Sequence, residues 1–221
     1  MQKKWLYILL TFTIGISTMA CLSSSITSDA TEDSAAEPKQ QVLLEEDFSK
    51  DNTGWDIYED ETISMAYEND MYVVVDQDPQ FYAYGYANKN FADTSIEVES
   101  TLLSGPMDVE SGIICRSSYD NFYFGIVSID GYYGIVKAIG DDFSLIQMDS
   151  MPANSAINQG NEMNKIRFDC IGNSLSLYVN GELLTSVTDD ELTDGDIGFI
   201  VGTYDEGGAK FGFDNLVVTK P

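Results

Sequence analysis

NFYFGIVSIDGYYGIVKAI, residues 121–139, is the stretch whose reading decides the fold. On both sides of Asp130-Gly131 run Val, Ile, Phe and Tyr, residue types that favour a pleated, half-buried surface. Asp-Gly accepts the positive φ angles that match the twist of paired strands, so the segment reads as a hairpin. A second hairpin follows the same grammar, with Asn180-Gly181 joining SLSLYVN to ELLTSV. Outward from these two, short runs with period-two alternation recur between turn signals, among them ETISMAYE, MYVVVDQ, QFYAYGYA, TSIEVESTLL, SGIICRS, FSLIQM, NKIRFDCI, GDIGFIVG and AKFGFDNLVV. No stretch from Val42 onward carries a convincing 3.6-residue apolar period. SMPANSAINQGNEMN, residues 150–164, is the longest irregular piece and reads as a crossover between hairpin groups. About a dozen short strands predict an all-β chain, an antiparallel β-sandwich or jelly roll, over residues 42–221.

The first 41 residues have a different character. Lys3 and Lys4 precede an uncharged, mostly apolar run of 13 residues, Trp5 to Ser17, which suits a signal core and is short for a bilayer span. Residues 1–20 therefore read as a secretory signal. TMAC resembles the bacterial lipobox, with Thr18 where that motif usually has Leu; the resemblance implies acylation of Cys21 as the mature N-terminus. The alternative is an ordinary signal followed by a chance cysteine. Residues 21–41, rich in Ser, Thr, Ala and acids, have no apolar periodicity and read as a flexible, lipid-anchored tether. The expected location is the bacterial cell envelope, outside the cytoplasm, with membrane contact through the N-terminal lipid.

The formal net charge is −26, and loss of residues 1–20, with two lysines and no acid, takes it to −28. Such a chain does not suit nucleic acid, whose phosphates demand a basic surface, and anionic headgroups repel it. With no histidine, Ser–His and Cys–His catalysis and His-ligated zinc or copper are excluded. Besides Cys21 the cysteines are Cys115 and Cys170, both on apolar strand registers. They read either as a disulfide, adding roughly 3–4 kcal/mol in an oxidising compartment, or as two buried free thiols.

EEDFSKDNTGW, the segment from Gly112 to Ile146, and above all YVNGELL, GDIGFIVG and the closing FDNLVV resemble the concanavalin A-like lectin/glucanase superfamily. More narrowly they resemble its laminin G-like and 3-keto-disaccharide hydrolase-like domains. The likeness covers nearly all of residues 42–219. It implies a jelly roll but no single activity, because the superfamily holds binders, enzymes and plain scaffolds.

Tyr82, Tyr84 and Tyr86 alternate on one face of a strand, and with Tyr123, Tyr132 and Tyr133 they are expected to line a ligand face. Tyrosine rings stack on the apolar faces of sugars while their hydroxyls form hydrogen bonds; the alternative is simple strand preference. Glu97 and Glu99 share a face at roughly 6.5–7 Å, a spacing used in glycoside hydrolysis, but Ser100, Thr101 and Leu102 break the longer acidic signature of the glucanases, so no catalytic residue is assigned. Asp214 shares a register with Leu216 and Val218 and is expected to point into apolar surroundings. The resemblance implies a structural Ca²⁺ held by Asp214 with Glu46 and Asp47; the alternative is a carboxylate bonded to turn amides. DDELTDGD, residues 189–196, fails as an EF-hand loop because Leu192 stands where an alternating ligand is needed, and reads as an acidic turn. The expected function is a carbohydrate-binding or adhesion module; the alternatives are a glycan-acting hydrolase and a scaffold with an envelope protein partner. Metabolic labelling with a fatty-acid analogue is expected to mark the wild-type chain and to miss Cys21→Ser.

Overall fold

The computed structural model describes residues 40–221, all of them strand, turn or irregular backbone. The signal, Cys21 and nearly all of the tether lie outside the described residues. In chain order the strands are β1 Gln41–Glu46, β2 Tyr58–Glu59, β3 Ile63–Glu68, β4 Met71–Asp76 and β5 Tyr82–Phe91. There follow β6 Thr94–Ser104, β7 Val109–Ser118, β8 Asn121–Ser128, β9 Tyr133–Ile139 and β10 Asp142–Leu145. The last five are β11 Asn164–Ile171, β12 Ser174–Val179, β13 Glu182–Thr188, β14 Gly195–Thr203 and β15 Ala209–Lys220.

These form two antiparallel sheets. Nine strands run in the order β13-β12-β11-β6-β15-β4-β3-β2, with β1 added to β15, and six run β10-β9-β8-β7-β14-β5. The irregular stretch after β10 carries the chain from the smaller sheet to β11 of the larger, as the sequence predicts. At Asn180-Gly181 both residues have positive φ (52° and 86°), the backbone of a two-residue hairpin turn. At Asp130-Gly131 only Gly131 does (104°), and the loop is longer: Ser128 N–H donates to the Tyr132 carbonyl at 2.8 Å.

The sheets close over a continuous apolar core, to which most strands contribute alternate side chains. Phe213 of β15 stacks on Phe199 of β14 with centroids 4.3 Å apart, and Phe199 stacks on Trp55 at 4.6 Å, so one aromatic column joins the sheets to the chain between β1 and β2. Cys115 of β7 and Cys170 of β11 form a disulfide from one sheet to the other, which settles the alternative in favour of pairing. Arg116, 2 % exposed, pairs with Asp93 at 3.0 Å and donates to the Leu192 carbonyl, tying the loop after β13 to the β5–β6 turn.

One register expectation is overturned. Phe211 and Phe213 are core residues, and so are Leu216 and Val218, which alternation alone forbids. A bulge between Asp214 and Val217, with Asn215 at φ 54°, restores the phase. Asp214 consequently faces away from the core, opposite Glu99, and is half-buried.

Both disulfide cysteines are at most 1 % exposed. Thiol titration in dithiothreitol is expected to find the bond intact until denaturant is added. The Cys115→Ala, Cys170→Ala chain, freed of a bond spanning 55 residues, is expected to lose about 4 kcal/mol in urea unfolding.

Candidate functional site

The six-stranded sheet is apolar on both faces. Away from the core, Ile114, Phe122, Phe124, Ile126, Val136, Ala138 and Ile200 form a second buried cluster, packed against Tyr82, Tyr84, Tyr86, Leu145 and Met151. The tyrosine row of β5 lies on this outer face because Ala83 and Ala87 alternate into the core. Opposite Tyr82, Tyr84 and Tyr86 on β14 stand Gly202, Ile200 and Gly198. A Cβ on Gly202 would lie 2.4 Å from the Tyr82 ring, and one on Gly198 would lie 2.9 Å from that of Tyr86. The two glycines therefore let the outer rings lie down across the neighbouring strand.

A buried acid interrupts this face. Glu110 of β7 is 1 % exposed and accepts from the Tyr82 hydroxyl at 2.7 Å and the Tyr204 hydroxyl at 2.6 Å. Burial pushes its pKa up, against the two tyrosine hydrogen bonds, with Asp108 and Asp130 adding repulsion. Tyr82 thus spends its hydroxyl inside the protein and offers its ring outward, where it stacks on Phe143 of β10 at 5.2 Å.

Two clefts flank this row. One, of about 380 Å³, has Tyr82, Phe122 and Phe143 as its aromatic lining and Gln80, Asp120, Asp141 and Tyr84 as its polar groups. Among the described residues, the side chains of those four polar groups make no hydrogen bond to protein. Burial raises the Tyr84 pKa, and the Asp120 and Asp141 carboxylates raise it further. The other cleft, of about 440 Å³, lies between the edge strands β5 and β2–β3, where Ile57, Tyr58, Ile63 and Met65 face Phe81, Tyr82, Tyr84 and Tyr86. An aromatic floor beside unengaged carboxylates, an amide and a phenol is suited to a ligand with apolar faces and many hydroxyls.

The remaining sequence-derived candidates fall elsewhere. Tyr123 belongs to the opposite register of β8: it is fully buried, and its hydroxyl donates to Asp189 and accepts from Leu192 N–H at 3.0 Å. The expectation that it lines a ligand face is corrected, because Phe122 and Phe124 take the outward positions of that strand. Tyr133 is likewise core-facing and donates to the Leu184 carbonyl. Tyr132 is exposed at the β8–β9 turn, bridged to Ala153, and lines neither cleft. Glu97 and Glu99 lie on the outer face of the nine-stranded sheet, with Lys165 at 3.4 and 3.8 Å. The acidic turn after β13 is held by Lys137, which binds Asp189 at 2.7 Å and Glu191 at 2.9 Å.

Glu46 and Asp47 accept from the Phe48 and Ser49 amides and line an open depression with Asn215. Asp214 accepts from Asn215 N–H; burial raises its pKa, as do Glu99, Asp47 and Asp70. Among the described residues no group of three or more His, Cys, Asp or Glu side chains is placed to hold a metal ion; Glu46 and Asp47 line the same depression as Asn215, the neighbour of Asp214.

Sequence reasoning missed Glu110, Gln80, Asp120, Asp141 and Phe143. The available signal was β7–β9, whose residues are buried on both faces and which read as apolar runs rather than strict alternation. Replacing Glu110 by Leu strands two tyrosine hydroxyls and is expected to cost about 2 kcal/mol in urea unfolding. Because the folded state holds the Glu110 proton more tightly than the unfolded chain does, the stability this group adds at low pH is lost as pH rises above the ordinary glutamate value. Glu110→Gln is expected to flatten that fall in unfolding measured from about pH 4 to about pH 8.

Solved structures share this architecture. Carbohydrate-binding module CBM66 from Bacillus subtilis aligns with a TM-score of 0.61 at 16 % identity, over 76 % of this chain and 96 % of its own. A Bacillus subtilis protein of unknown function with a galectin-like fold gives 0.63 at 10 % identity, over 82 % and 97 %. The Bacillus licheniformis β-glucanase gives 0.58 at 13 % identity, over 83 % and 100 %. At these identities the likeness is one of fold. No curated protein matches the chain in sequence. The 3-keto-alpha-glucoside-1,2-lyase-like domain matches residues 41–219, from the first strand to the last, and the chain belongs to that family.

Proposed function

We propose that this chain is a carbohydrate-binding module, held outside the cytoplasm by a lipid on Cys21, that takes a neutral sugar in the cleft between Tyr84 and Phe143. The observation that carries this reading is the pairing of an aromatic lining (Tyr82, Phe122, Phe143) with four polar side chains that have no hydrogen-bond partner among the described residues (Gln80, Tyr84, Asp120, Asp141). A pyranose presents C–H groups on its faces and hydroxyls around its rim. Its faces would lie against the rings, and its hydroxyls would donate to the two carboxylates and exchange hydrogen bonds with Gln80 and Tyr84. The two carboxylates and the net charge of −26 disfavour acidic sugars and favour neutral ones. Tyr82 contributes a ring already fixed by Glu110, so little side-chain entropy is lost on binding. The fold shared with CBM66 is in keeping with this reading.

A second reading, an enzyme acting on glycosides, is favoured by the family itself and by two accessible carboxylates in one cleft. The two readings differ in turnover. Consumption of a 3-keto-α-glucoside by the wild type, abolished in Asp120→Asn, Asp141→Asn, would select the enzyme.

A glycan array probed with the full-length chain is expected to return neutral glycans. Phe143→Ala and Tyr84→Ala are each expected to weaken binding about 5- to 30-fold by calorimetry, the effect of truncating one anchoring side chain. Wild-type affinity in both variants, or no binding to any sugar, would refute the module.

A further inference from the structure

The two clefts share Phe81, Tyr82 and Tyr84 as a common wall but differ in chemistry. The first carries the unpartnered polar groups described above. The second is built from Ile57, Ile63 and Met65 and from the aromatic bodies of Tyr58 and Phe81. Its one carboxylate is already engaged: Asp56 accepts from Tyr86 N–H at 3.1 Å and from the Asn88 amide at 2.9 Å. The Tyr58 hydroxyl donates to Asp60 at 2.7 Å, which likewise turns its polar end away from a ligand. Yet Ile57 is 67 % exposed, Tyr58 47 % and Phe81 47 %. Large apolar side chains gathered and left open around one cleft mark a binding surface.

We infer that the second cleft takes the apolar tail of a ligand whose sugar sits in the first, so that the preferred ligand is a neutral glycoside with an aliphatic aglycone: an alkyl glycoside or a glycolipid. The inference rests on the carbohydrate reading of the first cleft and adds the class of aglycone. A tail attached to the sugar need only pass the Tyr82–Tyr84 ridge to leave water, because both clefts open on those rings. Among its polar side chains Asp56 and the Tyr58 and Tyr82 hydroxyls are already engaged, which leaves the Tyr84 and Tyr86 hydroxyls as the unpartnered ones among the described residues, whereas each methylene placed against Ile57, Ile63 or Met65 is removed from water. Its position between the sheet edges also leaves the sugar cleft unobstructed.

The test uses the full-length Cys21→Ser chain, which cannot be acylated at residue 21, with four probes followed by calorimetry or tyrosine fluorescence. Octyl α-D-glucopyranoside, kept below its micelle concentration, is expected to bind at least tenfold more tightly than methyl α-D-glucopyranoside, a gain that burial of two methylenes supplies. It is also expected to bind more tightly than octyl tri(ethylene glycol), which has the tail without the sugar. Ile57→Asp is expected to erase the octyl advantage and leave methyl glucoside binding and the melting temperature unchanged, since that side chain is exposed. Displacement of octyl glucoside by vesicle-borne monoglucosyl diacylglycerol would assign the ligand to membranes, and retention would assign it to free alkyl glycosides. Equal affinity for the octyl and methyl glucosides, with neutral sugars still bound, would overturn this inference and leave the carbohydrate reading intact. Octyl tri(ethylene glycol) binding as tightly as octyl glucoside would overturn the coupling of tail to sugar. Failure of all sugars to bind would remove both readings.

Discussion

A sheet that is apolar on both faces has to be covered twice, and much of the organisation of this protein follows from that constraint. The inner face of the six-stranded sheet is covered by the nine-stranded one. Among the described residues no third layer of secondary structure stands over the outer face, and the cover there is made of side chains: the β5 tyrosines, Phe143, Leu145 and Met151. Tyrosine suits this position because it brings a large apolar body and a polar tip. The tips of Tyr82 and Tyr204 converge on Glu110, which lies within the apolar layer with two hydroxyls and, among the described residues, no cation as its partners. A buried carboxylate so placed tolerates neither loss of its donors nor free ionisation. It therefore holds Tyr82 in one orientation, and the outward aromatic surface is rigid before any ligand arrives.

Charge is deployed in a complementary way. The chain has 11 cationic residues against 37 acidic ones. Arg116, Lys137, Lys165, Arg167 and Lys210 all form ion pairs within the fold. Lys137 and Arg116 do more than neutralise: they fasten the acidic turn after β13 to β9 and to the start of β6. The carboxylates beside the aromatic clefts, Asp120 and Asp141, form no ion pair among the described residues. Acidic excess over most of the surface is solvation, whereas at this cleft it leaves acceptors facing an aromatic floor. The two clefts divide the outer face between polar and apolar contact, and the tyrosine row is the boundary they share.

Much of the fold was legible from local pattern. Val, Ile and aromatic runs punctuated by Asp-Gly and Asn-Gly locate nearly all the strands, and the irregular stretch before Asn164, which reads as a crossover between hairpin groups, does join one sheet to the other. β1 and β2 are not legible, because β2 has only two residues and β1, QVLLEE, is exposed over most of its length and carries no apolar alternation. Asp214 was misplaced for a related reason. Alternation assumes an unbroken pleat, and the bulge at Asn215 inserts a phase shift that no composition rule announces. Tyr82, Tyr84 and Tyr86 were recognised as one face because period two is a property of a single strand. Tyr123 was grouped with them wrongly, since which face of β8 turns outward depends on how β7 and β9 flank it.

By itself, then, the sequence determined what is local and additive: strand-forming segments, turns, the shared face of three tyrosines, a charge hostile to nucleic acid, and the absence of histidine chemistry. Tertiary structure alone decided which distant residues meet. It joined Cys115 to Cys170, laid Tyr82 and Tyr86 over Gly202 and Gly198, brought Glu110 to Tyr204 across 94 residues, and set Asp120 and Asp141 beside Phe143. The physical reason is that backbone propensity and side-chain alternation act over a few residues, whereas sheet order and register, set by the packing of a whole core, determine which side chains become neighbours.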